Sequence, residues 1–418
     1  MQKYMEQLNA PQTEQRLSAL RELIRTSPRA VSRDVNSHIH TFYSFSPYSP
    51  SLAVYRALQA NLATAGIMDH DTVAGAREFL LAGDIASLSV TVGMECRASF
   101  AKTPLNNRRI NNPDQSSIAY VALHGVPHTQ LDALTDYMLP YCAHRMVRSR
   151  AMTEKLDALL QEHDLHVDFD ADVMPLSMVY VGGTVTERHI LFAAAKKIAS
   201  RFGRGANTVS FIKNELVLPL TAKVEEHLCD GNNPFYDYDL LNVLKSELVK
   251  RIYIDAKSEC PPIKELSAFA RAHGIVLSYA YLGDVGQSVT GDKRAQTFED
   301  AYLDELFDLL HELDFCAVTY MPSRNTSAQL KRLRELCQVH GFFQISGEDI
   351  NQPRQSFVCE AMRAQEFSNL YDSAWALIGH ERAATQDLEK GMFSQTTIAN
   401  MPDLNERIQF FSRYAKGE

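Results

Sequence analysis

The spacing of hydrophobic positions changes period several times along this chain. In the first 30 residues Leu17, Leu20, Leu23 and Ile24 recur at helical spacing and predict one or two amphipathic helices. Beyond that, short apolar runs alternate with helical segments. "VNSHIH" (35–40) reads as a strand. Ser49-Pro50 reads as an N-cap followed by proline in the first helical turn, and it opens "SLAVYRALQANLATAG", a helix expected to stop at Gly66. "GIMDHD" ends a second strand and "VAGAREFLLAG" is a helix. "LSVTVGMEC" and "SIAYVALHG" are further strands.

From about Asp136 to Lys250 the pattern is mostly helical. Met152, Leu156, Leu159, Leu160 and His163 fall on one helix face. "VTERHILFAAAKKIASRFG" is a second helix, capped by Thr186 or Thr184. The strand–helix rhythm resumes near Pro261, with strands in "IVLSYAY", "DFCAVTYMP" and "FFQISGED". The tail from about Gln365 is helical again.

Seven apolar strands, most of them separated by helices, imply a parallel α/β sheet with helices outside. The expected architecture is a distorted seven-stranded (β/α) barrel. Residues 31–135 and 251–364 form it. Residues 136–250 are a helical insertion. Residues 1–30 and 365–418 are helical extensions. A site in such a barrel belongs at the carboxyl ends of the strands.

Composition narrows the class. The chain has 418 residues, 45% hydrophobic and 22% charged, as in a soluble globular protein. Its net charge of −9 disfavours broad nucleic-acid binding. Seven scattered cysteines with no CxxC pair suit reduced thiols in a cytoplasm. No secretory signal is visible, and no apolar run approaches the roughly 20 residues that span a bilayer. There is no Walker loop, no GxGxxG after a strand and no GxSxG.

The expected strand ends carry chemistry. His38 and His40 close the first, and alternation points both the same way. Asp69, His70 and Asp71 close the second, Glu95 the third and His124 the fourth. Tyr279 and Tyr281 end the fifth, and Glu348 and Asp349 the seventh. Each has a plain alternative: buried histidines, a helix cap at Asp71-Thr72, a core carboxylate at Glu95 answering Arg97, a turn residue at Asp349. Together they suit a metal centre, because buried carboxylates need partners and imidazoles with carboxylates bind zinc, manganese or iron.

"HIHT", "GIMDHDTVAG", "VGMEC", "GIVLSYAYLG" and "ISGEDIN" lie in an order that resembles the PHP (polymerase and histidinol phosphatase) superfamily of metal-dependent phosphoesterases. The likeness covers roughly Asp34 to Asn351. The insertion, with its "VTERHI", is similar to that of the branch acting on nucleoside monophosphates and oligonucleotides. The resemblance implies a first metal site of His38, His40, Glu95 and Asp349. It implies a second site sharing Glu95, in which His124 substitutes two residues beyond Ala122 and Tyr279 replaces a histidine. Its third site would use the positions of Phe45, His70 and Asn351, of which only His70 is a good ligand.

The reading is therefore a metal-dependent hydrolase, a phosphoesterase acting on a small phosphorylated molecule such as a nucleotide. It would hold one divalent ion strongly, with room for a second. Asp69, His70, Tyr279 and Arg324 are the catalytic candidates. Arg188, Arg324 and Asn351 are the substrate-binding candidates, with a surface role as the alternative for both arginines. Short oligonucleotides are the only nucleic acid expected. Alternatives are hydrolysis of another ester or an amide, and a metal-holding relic.

Overall fold

Seven strands pair in chain order, β1 (Val35–Ile39), β2 (Thr64–His70), β3 (Ser89–Ser99), β4 (Ile118–His124), β5 (Val276–Ala280), β6 (Ala317–Tyr320) and β7 (Phe343–Ser346). The computed structural model describes residues 2–26, 30–286 and 296–418. The ring closes just beyond β7. Ile39 and Ile350 form a parallel bridge, in which His40 N donates to Ile350 O (2.9 Å) and Ile350 N to His38 O (3.1 Å). Gly347 permits this approach. A Cβ there would lie 2.8 Å from both Asn36 Oδ1 and His38 Cβ.

The sheet departs from the expected parallel order at one strand. β4 runs antiparallel to both β3 and β5. The physical reason lies in the β3–β4 connection, "FAKTPLNNRRINNPDQSS", which contains no helix. Parallel neighbours need a crossover, usually helical, whereas antiparallel neighbours do not. The mouth of the barrel is thus the carboxyl end of six strands and the amino end of β4.

The helix after β1 spans Pro50–Gln59, and the Ser49 side chain caps it by accepting from Leu52 N (3.0 Å). Such a cap contributes about 1 kcal/mol. The helix does not run to Gly66, which lies inside β2. A Cβ there would meet Ser37 and Thr91 at 2.8 Å, so the glycine serves a narrow interior.

The helix Leu131–Gln161 leaves the barrel and continues into the insertion without a break, across the boundary expected near 136. The insertion has a core of its own. Met152, Leu156 and Leu160 pack with Ile190, Leu191, Tyr236, Leu240 and Leu244. The first tail helix, Asn369–Gln386, packs against Val276, Ala317 and Phe343 at the amino ends of β5, β6 and β7, opposite the mouth. Its buried Glu381 accepts from Thr91 Oγ1 (2.6 Å) and Val92 N (2.7 Å). At the N-terminus, buried Arg16 pairs with Glu78 and ties the helix Thr13–Thr26 to the helix Ala76–Ala86. Among the described residues, no helix is long and apolar enough to cross a membrane.

Candidate metal centre

Strand register assembles the site. His70 on β2 pairs with Glu95 on β3, Glu95 with Ala122 on β4, and Ala122 with Ser278 on β5. These four residues form one rung facing the interior. β1 adds His38 and His40, and the closing bridge beyond β7 brings Asp349 beside them.

Three imidazoles surround one carboxylate oxygen. Glu95 Oε1 lies 3.1 Å from His70 Nδ1, 3.2 Å from His40 Nε2 and 3.6 Å from His38 Nε2. His40 Nε2 is also 3.1 Å from Asp349 Oδ1. Donor atoms of His38, His40 and Glu95 lie within 4.8 Å of one another. Yet His38 Nε2 and His40 Nε2 are buried without an aligned hydrogen-bond partner among the described residues. Native structures rarely leave such atoms orphaned unless an ion, a water or a catalytic role accounts for them.

The electrostatics favour a cation. Burial opposes charge on His40, but Asp349 and Glu95 outweigh it and push the imidazole up to about 10. Burial would raise Asp349, but its contact with His40 holds it well below the usual carboxylate range. Glu95 is likewise held low against burial, by His70 and His38. Burial drives His70 and His124 down to about 3, so both present neutral rings. Metal binding needs ionised carboxylates and neutral imidazoles. The donor set, nitrogen with anionic oxygen, fits a divalent ion of the zinc, manganese or iron kind.

His124 needs a correction of place. It closes β4, but that strand is inverted, so it lies one interior step below Ala122, away from the mouth. Its Nε2 has no hydrogen-bond partner among the described residues, and its electrostatic neighbours are His38 and Glu95.

Tyr279 is not in the site. It is paired with Val121 and Val318 and packs in the core outside the barrel. Period-two alternation puts Ser278 on the interior instead, where its Oγ is buried without a hydrogen-bond partner among the described residues. Burial, with nearby Glu299, holds the Tyr279 phenol well above its usual range.

Asp69 is also not a free catalytic group. It shares the outer face of β2 with Ile67 and accepts from Thr41 N (2.7 Å), Thr41 Oγ1 (2.6 Å) and Ser44 Oγ (2.6 Å). It therefore shapes the loop that follows "HIH". Asp71 does not cap a helix; its carboxylate lies 2.8 Å from Arg145 Nε. Arg97 answers Glu187 and Glu259 rather than Glu95.

Phe45, where the resemblance would put a ligand, joins the insertion core. Its ring meets His189 edge-on at 4.9 Å, with Phe192 at 5.4 Å. Its φ of +90° is strained for a non-glycine residue, and this packing maintains it. Asn351 Nδ2 donates to Asp349 Oδ1 (2.6 Å), so it holds a candidate ligand in place. Arg188 is buried rather than on the surface, with its guanidinium 5.6 Å from the Phe45 ring and Asp349 as its leading charge neighbour. Arg324 Nε donates to Leu282 O (3.2 Å), which joins the loops after β6 and β5.

Sequence reasoning missed Ser278 and a buried cluster of Arg97, Arg145, Arg148, Glu187 and Glu259. The missing crossover before β4 was the signal for the first. The second has none, since its members lie far apart in the chain.

No family model matches this chain, and no curated protein matches it. Solved structures do. A protein from Bifidobacterium adolescentis, proposed to be a metal-dependent phosphoesterase, is 18% identical with a TM-score of 0.51, over 81% of this chain and 96% of its own. An amidohydrolase from Chromobacterium violaceum, solved with sulfate and no metal, is 15% identical with a TM-score of 0.49, over 78% of this chain and 90% of its own. At this identity, the first likeness speaks to the fold.

Proposed function

We propose that this chain is a metal-dependent hydrolase that cleaves a phosphoester of a small molecule. The observation that carries the reading is the convergence of His38, His40 and His70 on Glu95 at the mouth of the barrel, with Asp349 against His40 and the buried Arg188 having Asp349 as its leading charge neighbour. His38, His40, Glu95 and Asp349 would hold one divalent ion. Glu95 and His124 would contribute to a second, weaker position. When bound, the ion supplies Lewis-acid charge that activates water and neutralises the phosphoryl oxygens.

The chain's own residues do the rest. Arg188 provides a cation for an anionic substrate oxygen, and its buried Nε has no hydrogen-bond partner among the described residues. This cation favours a phosphoester over a neutral amide. Asn351 orients Asp349. Asp69 fixes the Thr41–Ser44 loop that borders the site. The insertion joins the loops after β1 and β2 at the mouth, with Thr184 N donating to Tyr43 O (2.8 Å) and Thr184 Oγ1 to His70 O (3.0 Å), and would narrow access to the centre.

Protein loaded with manganese, zinc or iron should hydrolyse 4-nitrophenyl phosphate, and His40→Ala should abolish the activity. Loaded wild-type protein that cleaves esters or amides but no phosphoester would overturn the phosphoester assignment.

A further inference from the structure

A buried ionic cluster lies beside the metal centre, and the proposed mechanism does not use it. Arg97 lies two residues beyond Glu95 on the same face of β3. Arg145 and Arg148 come from the helix Leu131–Gln161, Asp71 follows His70, and Glu259 precedes β5. Glu187 is the first residue of the insertion helix Glu187–Phe202. Arg148 bridges the two glutamates, with Nη2 2.5 Å from Glu187 Oε1 and Nε 2.5 Å from Glu259 Oε2. Arg97 Nη1 is 3.4 Å from Glu187 Oε1, and its other amine pairs with Glu259. Arg145 reaches Asp71 at 2.8 Å and Glu259 at 3.7 Å. Three arginines thus balance three carboxylates.

Such a cluster is weak evidence for stability, because desolvation offsets most of its Coulomb energy. Its placement suggests another role. Glu187 is the only member from the insertion helix, and the next residue is Arg188, the buried cation near Asp349. Thr186 and His189 cap the same turn, with Thr186 N donating to His189 Nδ1 (3.0 Å).

We infer that Glu187 is a positioning residue, whose ion pairs to Arg97 and Arg148 fix the first turn of the insertion helix and so aim Arg188 at the metal centre. This rests on the reading of Arg188 as the anion-binding group. The rest of that helix is held by apolar packing of Ile190, Leu191 and Ala194. Loss of the clamp should therefore loosen its first turn without unfolding the insertion.

The test is an arginine side-chain Nε–H NMR spectrum of zinc-supplemented full-length protein, with the Arg188 signal assigned through Arg188→Lys. Arg188 should exchange slowly in the wild type. Glu187→Gln should speed its exchange by about tenfold, because exchange follows the local opening of the first turn that the ion pairs oppose. Glu187→Asp should restore most of the protection, and bound zinc should stay unchanged. Should Glu187→Gln fail to fold, Arg148→Lys keeps the charge, loses the bridge and should give an intermediate exchange rate. Unchanged Arg188 exchange, or equal acceleration at every buried arginine, would overturn the inference. Inorganic phosphate separately scores the underlying reading. It should shift the wild-type Arg188 signal and bind Glu187→Gln more weakly. A wild-type signal indifferent to phosphate would remove the anion-binding role, while the exchange data would still decide whether Glu187 positions Arg188.

Discussion

His40 Nε2 lies 3.1 Å from Asp349 Oδ1, joining the first strand of the barrel to the segment just beyond the last. The contact depends on the Ile39–Ile350 bridge and on the absence of a side chain at Gly347. Barrel closure and the metal centre thus share the same segment, and the substitutions below separate ligands from their supports.

Asp349→Ala and His38→Ala should each remove most bound metal. Asn351→Ala removes only a hydrogen bond to Asp349 and should keep the metal stoichiometry, with affinity lower by about tenfold or more. Titration with a competing chelator measures this. Equal loss of metal in all three variants would contradict the division of roles.

The interior rung predicts where a further ligand can be added. Ser278→His places an imidazole on the same face as Glu95 and should raise metal content. Tyr279→Phe should leave metal content unchanged, because Tyr279 faces the outer core. A fall in bound metal with Tyr279→Phe would mean that the strand register is wrong.

Much of this site was legible in the sequence. The order of "HIHT", "MDHD" and "ISGED" placed His38, His40, His70 and Asp349 at or just beyond strand ends of one barrel, because alternation and strand length are local properties, whereas Glu95, expected to close its strand, lies inside β3, which runs on to Ser99. The orientation of β4 is not local, and with it went the place of His124 and the face of β5. The run "LSYA" offers both Ser278 and Tyr279, and only the pairing with Ala122 decides between them. The polar loop before β4 carried the cue, since a strand reached without a helix is expected to run antiparallel. The ionic cluster could not be read, because Arg97, Arg148, Glu187 and Glu259 meet only in the folded chain.

Asp69→Ala should act on stability. It strips the acceptor from Thr41 N, Thr41 Oγ1 and Ser44 Oγ in a buried setting, at a cost of about 3 kcal/mol or more. Urea unfolding should show a lower midpoint at unchanged slope. Full stability with selective loss of turnover would restore Asp69 as a catalytic group.

Glu299 predicts a pH dependence away from the metal centre. Burial pushes its carboxyl up to about 7, from an ordinary value of 4.5. Here the folded state keeps a proton that the unfolded state has released. Stability should therefore fall as pH rises from about 4.5 to about 7, by up to about 1.4 kcal/mol per pH unit, and level off above. Glu299→Gln should flatten this part of the profile, as read by denaturant unfolding across that range. An identical profile in the variant would mean that Glu299 titrates normally.

The most direct measurement is the metal content of wild-type protein purified without chelators, by elemental analysis, beside His38→Ala. The account predicts at least one zinc, manganese or iron ion per wild-type chain and little in the variant. Wild-type protein that holds no metal, and takes none up when supplied with each of the three ions, would contradict it.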